Sequence, residues 1–340
     1  MSGPSSGFRL AAGLLGLLLL LAALAAAAAW WWIERPLPLA GARAELSIEA
    51  GSSPRAVAQA WVDAGVQTSP RLLYEYFRWS GQARLIRAGS YEIEPGTSPR
   101  RLLAKMVQGD ETLEQLRFIE GWTLRQLRAA LARAPHLRHA TSALSEADLM
   151  AAVGAAGDSA EGRFFPDTYA YSRGVSDVVV LKRAHRAMQQ HLAAAWAERA
   201  PDTPLKSADE ALILASIVEK ETGLEADRGR IAGVFVNRLR RGMPLQTDPT
   251  VIYGLGEAFD GNLRKRDLLT DTPYNTYLRA GLPPTAIALP GLASLRAAVR
   301  PEPTRALYFV ARSDGSGGSV FSETLADHNR AVNQYQRAGR

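Results

Sequence analysis

The most pronounced hydropathy feature lies at the N-terminus. From Leu10 to Ile33 the chain reads LAAGLLGLLLLLAALAAAAAWWWI, without a charged or strongly polar side chain. At about 1.5 Å per residue, a helix of this length crosses a hydrocarbon layer of about 30 Å. Trp30, Trp31 and Trp32 stand where an aromatic belt meets lipid headgroups, and Arg9 on the short N-terminal side favours an N-in orientation. The alanine run 25–29 also resembles the cleavage region of a signal peptide. The length of the apolar run and the tryptophans that close it favour an uncleaved anchor. On either reading the remainder works outside the cytoplasm.

After a short Pro-containing linker the pattern shortens and repeats. Ile48-Glu49-Ala50-Gly51-Ser52-Ser53-Pro54-Arg55 returns as Ile93-Glu94-Pro95-Gly96-Thr97-Ser98-Pro99-Arg100, and more loosely as Ile119-Glu120-Gly121-Trp122-Thr123-Leu124-Arg125. Each of the first two copies follows a strand-like run (44–49 and 89–93) and precedes a helical one (56–64 and 102–107). Glycine permits the turn, serine caps the helix and proline takes its first position. This predicts a small α+β module of the LysM-like, glycan-binding kind, although the echo could equally record a common strand–turn–helix solution. From Phe118 onward helical periodicity dominates, most clearly over 124–133, 178–199 and 208–221, with 200–205 as a loop and 307–311 as the best strand. The expected organisation is a cytoplasmic stub (1–9), a transmembrane anchor (10–33), a linker (34–43), the LysM-like module (44–117) and a mainly helical domain (118–340), α+β in class overall.

Composition narrows the chemistry. The 340 residues are 47% hydrophobic, carry a formal charge of +6 and have a pI near 9.7. The arginines are scattered among acids, with no basic run interleaved with aromatics, so nucleic acid is not the expected partner. Cysteine is absent, which excludes disulfides, thiolate metal sites and a cysteine nucleophile. His136, His139, His185, His191 and His328 lack the spacing of a zinc site, so no metal is expected.

The segment Ser207–Gly223, SADEALILASIVEKETG, opens as a capping box at Ser207 and Glu210 and closes at a glycine. It is apolar nearly all round, which predicts a buried helix. Glu219 and Glu221 emerge at its C-terminal end, and Glu219 shares a face with Leu212, Ala215 and Ser216. Desolvation and the negative end of the helix dipole both disfavour an anion there, as a general acid requires. Read alone, these acids could simply form a polar last turn paired with Lys220, Arg228 or Arg230. Downstream, residues 238–254 form a polar loop leading into a short apolar segment. Asp248 before Pro249 suits a helix N-cap, while Gln246, Thr247 and Tyr253 are residue types that hydrogen-bond and stack on sugars.

At this point the chain resembles the MltG-type (YceG-like) endolytic murein transglycosylases. The resemblance rests on ordered blocks: Glu161-Gly162, Phe165-Pro166-Asp167-Thr168-Tyr169, Ile217-Val218-Glu219-Lys220-Glu221-Thr222, Phe235-Val236-Asn237-Arg238-Leu239, and Gly242 through Gly254. Tyr274-Asn275-Thr276-Tyr277, Gly281-Leu282-Pro283-Pro284, Tyr308-Phe309-Val310 and Phe321-Ser322 through His328-Asn329 complete it. The chain departs from the family at Thr285-Ala286 (usually Gly-Pro), Leu289 (usually Asn) and Ser319 (usually His). The resemblance implies a catalytic domain with lysozyme-like features, a LysM-like module and a single-pass inner-membrane anchor, with the catalytic domain in the periplasm. It implies cleavage between N-acetylmuramic acid and N-acetylglucosamine of nascent peptidoglycan, leaving 1,6-anhydro ends and limiting strand length. Glu219 would act as acid and then base without a cofactor, beside the wall synthases and elongation machinery. Gln246, Thr247, Asp248, Tyr253, Tyr274 and Asn275 are the expected sugar-positioning residues. No second carboxylate is evident in sequence. A muramidase pairing Glu219 with Asp248, and a non-catalytic glycan tether, are the alternatives; no phosphate-binding glycine loop supports a pyridoxal phosphate enzyme.

Overall fold

The computed structural model describes residues 6–49, 51–313 and 316–337. It divides into two units, Met1–Glu114 with Ser172–Gly174, and Gln115–Tyr171 with Val175–Arg340.

The first unit begins with α1 (Ser6–Glu34), whose stretch Leu14–Glu34 has a mean hydropathy of 2.3 and is long and apolar enough to cross a membrane. Then come β1 (Ala44–Ile48), α2 (Pro54–Asp63), α3 (Pro70–Trp79), β2 (Gly89–Ile93) and α4 (Pro99–Gln108). β1 and β2 pair antiparallel, Ala44 opposite Ile93 and Ile48 opposite Gly89. The echo does what its chemistry predicts. Ser53 Oγ accepts from Ala56 N (3.2 Å) and Ser98 Oγ from Arg101 N (3.4 Å), each with proline at the first helical position. Such caps are worth about 1 kcal/mol each. Trp61, Leu73, Phe77, Tyr91, Ile93 and Met106 fill the core. The hydropathy pattern does not announce α3, because Leu72, Tyr76 and Trp79 form an apolar stripe beside the core stripe of Leu73 and Phe77 and blur its period.

In the second unit β3 (Leu113–Arg117) pairs with β4 (Thr168–Ser172), with α5 (Leu124–Arg133) and α6 (Glu146–Val153) between them in sequence. The third echo starts α5: Thr123 and Gln126 close a reciprocal capping box. Next in the chain are α7 (Asp177–Ala197), α8 (Ala208–Glu221), α9 (Glu225–Arg240), α10 (Asp248–Leu255), the single turn α11 (Lys265–Leu268) and α12 (Leu292–Val299). The hairpin β5 (Tyr308–Ala311) and β6 (Ser319–Ser322) precedes α13 (Leu325–Val332).

α8 is the axis of this unit. Ala211, Leu212 and Leu214 through Val218 are all buried, and α7, α9 and α12 pack around them. Ser207 Oγ accepts from Glu210 N (3.2 Å), whereas Glu210 reaches back to Lys206 N (2.6 Å), one residue beyond a reciprocal box. The end of α8 also differs from expectation. Gly223 is not a left-handed cap; the helix stops because Thr222 turns extended (φ −145°, ψ 135°), its hydroxyl accepting from Leu224 N at 2.9 Å.

Candidate active site

Two segments converge on the end of α8. The stretch 286–291 is held to the helix where Ile287 N donates to Ser216 Oγ (3.0 Å), and that hydroxyl in turn donates to Ile213 O (2.7 Å). The turn 119–122 is joined to the same stretch by Gly121 N to Leu289 O (2.9 Å) and Leu289 N to Trp122 O (2.7 Å). Lys220 Nζ donates to Gly121 O (3.2 Å), tying the turn to α8 itself. Glu219, half-buried, accepts from the backbone N–H of Gly291 at 3.0 Å through Oε2. Among the described residues, that N–H is the carboxyl's one hydrogen-bond partner.

This convergence brings in an acid that no sequence signal singles out. A Cβ placed on Gly291 would lie 1.8 Å from Oε1 of Glu120, so the absence of a side chain there is what lets that carboxyl sit where it does. Burial, reinforced by the negative charge of Glu219, pushes Glu120 above the usual carboxylate range, while Arg228 opposes the shift. The expectation that Glu219 lacks a neighbouring carboxylate is therefore corrected. The reason is topological: residues 120, 219 and 291 are distant in the chain and meet only through the Trp122–Leu289 pairing. In sequence Glu120 looks like Glu49 and Glu94, the turn residues of the other echoes.

Two further acids hold their protons more tightly than a free carboxyl, one buried and one half-buried. Glu161, 6% exposed, accepts from Leu124 N with both oxygens (2.9 and 3.1 Å) and from the Tyr253 hydroxyl (3.1 Å). Burial pushes it up to about 7 against the pull of those hydrogen bonds. Its neighbour Gly162 has φ +79°, and a Cβ there would come within 2.5 Å of that of Ala286. Glu221 accepts from the Thr247 hydroxyl. Burial raises it to about 7, helped by the charge of Asp248 and opposed by Thr247 and Arg238.

The expected sugar-positioning residues divide by how their polar atoms are used. Asn275 is fully buried; its Nδ2 donates to Leu268 O (3.0 Å) and Thr270 O (2.8 Å), and its Oδ1 accepts from Tyr277 N (2.9 Å). It braces its own turn and has nothing left for a sugar. Thr247 is buried as well and serves Glu221. Asp248 does not cap α10: Thr247 occupies the cap position, and Asp248 accepts from the Tyr277 hydroxyl (2.6 Å). Tyr253 and Tyr274 meet edge-to-face with centroids 4.8 Å apart, and the hydroxyls of Tyr274 and Thr285 share a hydrogen bond of 2.8 Å. Gln246, exposed like Asp248, is the one of the six that is strained, at φ 49°, a left-handed conformation that a side chain adopts at a cost. Arg238 explains the strain's persistence. Its buried guanidinium donates to the carbonyls of Leu307 (2.7 Å), Pro244 (3.3 Å) and Leu245 (2.7 Å), clamping the loop just before Gln246.

The departures from the family pattern are absorbed locally. Thr285 binds Tyr274, Ala286 packs over Gly162, Leu289 enters the core, and Ser319 N donates to Asp227 Oδ2 at 2.6 Å. Among the described residues, no group of three or more His, Cys, Asp or Glu could hold a metal ion.

With this geometry in hand, comparison with known proteins gives a consistent result. The chain is 32% identical over 320 residues to the endolytic murein transglycosylase of Bacillus subtilis, covering 85% of this chain and 84% of that protein. It is 27% identical over 327 residues to the protein of the same name from Streptococcus pneumoniae, of whose length the alignment covers 58%. The crystal structure of a YceG-like protein from Listeria monocytogenes superposes with a TM-score of 0.52 at 29% identity, over 85% of this chain and 98% of that one. The family model for the YceG-like family matches residues 46–334, across both units, and the chain belongs to that family.

Proposed function

We propose that this chain is a lytic transglycosylase that cuts peptidoglycan glycan strands internally, with Glu219 as its catalytic acid and base. The observation that carries the reading is the Glu219 carboxyl, half-buried and fixed at one oxygen by the N–H of Gly291. A backbone donor makes Oε2 a permanent acceptor, so the proton to be delivered sits on the other oxygen. Glu120 stands beside it, its own proton held more tightly by burial and by the charge of Glu219. Glu219 then protonates the glycosidic oxygen between N-acetylmuramic acid and N-acetylglucosamine, and the C1–O bond breaks. The muramic C6 hydroxyl bonds to C1, and the Glu219 carboxylate takes its proton. The acid is regenerated, a 1,6-anhydro end is left, and no water is consumed. An intramolecular hydroxyl has a high effective concentration, which removes the need for a protein nucleophile.

Gln246 and the Tyr253–Tyr274 pair are the proposed sugar contacts; Thr247, Asp248 and Asn275 shape the loop behind them. An acid near the end of a buried helix supports a lysozyme-like character for the catalytic unit. The order β1–α2–α3–β2 with antiparallel strands supports a LysM-like glycan-binding role for the first unit. α1 anchors the chain N-in in the inner membrane, the remainder faces the periplasm, and nascent strands beside the wall synthases are the substrate.

Glu120 also gives the hydrolytic alternative a second carboxylate closer at hand than Asp248, which accepts from the Tyr277 hydroxyl. Mass analysis of purified peptidoglycan digested by the full chain separates the two. Anhydro-muramic ends, absent with Glu219→Gln, are expected; ends one water heavier would establish a muramidase, and intact strands with wild type a glycan tether.

A further inference from the structure

The first unit carries an apolar surface that its core does not use. On α3, Leu73 and Phe77 point into the core, while Leu72, Glu75, Tyr76 and Trp79, spaced three, four and seven residues apart, form a second stripe. Leu72 is 52% exposed and Trp79 79%. Isolated exposed leucines are ordinary, but this stripe lines a hollow of about 440 Å³ whose other wall is Ala28, Ala29, Trp32 and Ile33 of α1.

α1 is fastened to the unit it leads into. Trp32 meets Tyr76 edge-on at 6.3 Å, Glu34 pairs with Arg100 at 2.7 Å, and Leu37 N donates to Thr97 O at 2.9 Å. The depth of the hollow follows from the helix rise. Ala28 lies six residues before Glu34, about 9 Å down the helix, so a side chain sharing a wall with Ala28 sits at the level where headgroups give way to acyl chains. The cations fit that level: Arg35 lies over the Trp31 ring (4.7 Å), Arg78 lies over Trp79 (5.5 Å), and Arg71 is exposed on the first turn of α3. Glu75, the acid of the hollow, is paired with Arg78 (3.2 Å).

We propose that Leu72, Tyr76 and Trp79 lie in the headgroup–acyl boundary of the bilayer that α1 enters, so that α3 rests on the membrane as a second, in-plane contact. The proposal depends on α1 being an anchor. Aromatic rings with flanking arginines are the chemistry that favours an anionic bilayer interface. A single spanning helix by itself lets the unit it carries swing freely; a side contact a few residues from its exit fixes the tilt of the first unit.

The chain has no cysteine, so single ones can be introduced without background. The full chain carrying Trp79→Cys, Leu72→Cys, Trp30→Cys or Ala56→Cys is labelled with a small environment-sensitive fluorophore. It is then reconstituted in vesicles of phosphatidylethanolamine and phosphatidylglycerol. Labels at 79, 72 and 30 should be quenched by headgroup-level spin-labelled lipid at least about fivefold more than the label at 56, which iodide should quench instead. A label at 79 open to iodide while that at 30 is lipid-quenched would overturn the α3 contact and leave the anchor standing. Failure of lipid to quench position 30 would remove the anchor and the proposal together. Protection of 79 and 72 from both quenchers would show a protein covering the stripe, and would overturn the lipid assignment.

Discussion

Glu219 and Glu221 stand two residues apart at the end of one helix, yet they occupy different environments. A step of two residues turns a helix by about 200°, so the two side chains face different neighbours. Glu221 faces Thr247 and the clamped loop, accepts from the Thr247 hydroxyl and is raised to about 7. Glu219 faces the start of α12, accepts from Gly291 N and has a second acid beside it. By perturbation alone Glu221 and Glu161 would be chosen as the functional acids. Access removes Glu161: a general acid must touch the bond it cleaves, and a buried carboxyl whose oxygens serve a backbone N–H and a tyrosine cannot. Glu219 and Glu221 are each half-buried with one hydrogen-bond partner among the described residues, so substitution has to separate them.

That contrast can be broken experimentally, and the largest effect is expected at Glu219. Glu219→Gln should lower the turnover of glycan strands by about 10³-fold or more with the melting temperature unchanged, since it removes the transferred proton and little else. Gly291→Ala should come next, with a loss of about tenfold in kcat. Its backbone (φ −78°, ψ 172°) suits alanine, so the new methyl acts only by displacing the Glu120 carboxyl from the site. Circular dichroism should report an intact fold.

Glu120→Gln should cost about tenfold in kcat and change the pH profile. Burial and the charge of Glu219 make Glu120 hold its proton to higher pH, so the limb of the profile that Glu120 contributes should vanish. An unchanged profile would show that the two acids are not coupled.

Glu221→Gln should reduce kcat by less than about threefold and act on stability instead. The folded carboxyl titrates near 7 against 4.5 when unperturbed. Its proton is bound more tightly in the folded state, so its contribution is complete below pH 4.5 and lost as pH rises through about 7. Thermal melts of wild type should fall across that window, by an amount on the order of 3 kcal/mol for each such group, and the substitution should flatten part of the decline. Glu161→Gln should remove a further share, its carboxyl having the same raised value and cause.

Local rules carried much of the fold. Ser53, Ser98, Thr123 and Ser207 cap helices where the pattern places them, and the all-apolar α8 is buried as its composition requires. What sequence could not supply was long-range. Glu120 becomes part of the site through two backbone hydrogen bonds to Leu289, and no spacing rule connects those positions. Residue type also misleads where the fold uses polar atoms on itself: Asn275 and Thr247 have the chemistry of sugar contacts but satisfy a turn and a buried acid. Arg238 stands in a motif block with no role legible in sequence, and proves to be a clamp on three carbonyls. The α3 stripe is hidden in sequence because a second apolar face looks like noise in the period of the first.

The pairing of Trp122 with Leu289 has a consequence for when such an enzyme can act. It joins segments from near the two ends of the second unit, and the Glu120–Gly291–Glu219 cluster exists only once that junction has closed. A long loop must be closed before these contacts form, an entropic cost met late in assembly. The cluster of Glu120, Gly291 and Glu219 is therefore a product of the completed fold of the second unit, and no fragment that ends before residue 291 contains it.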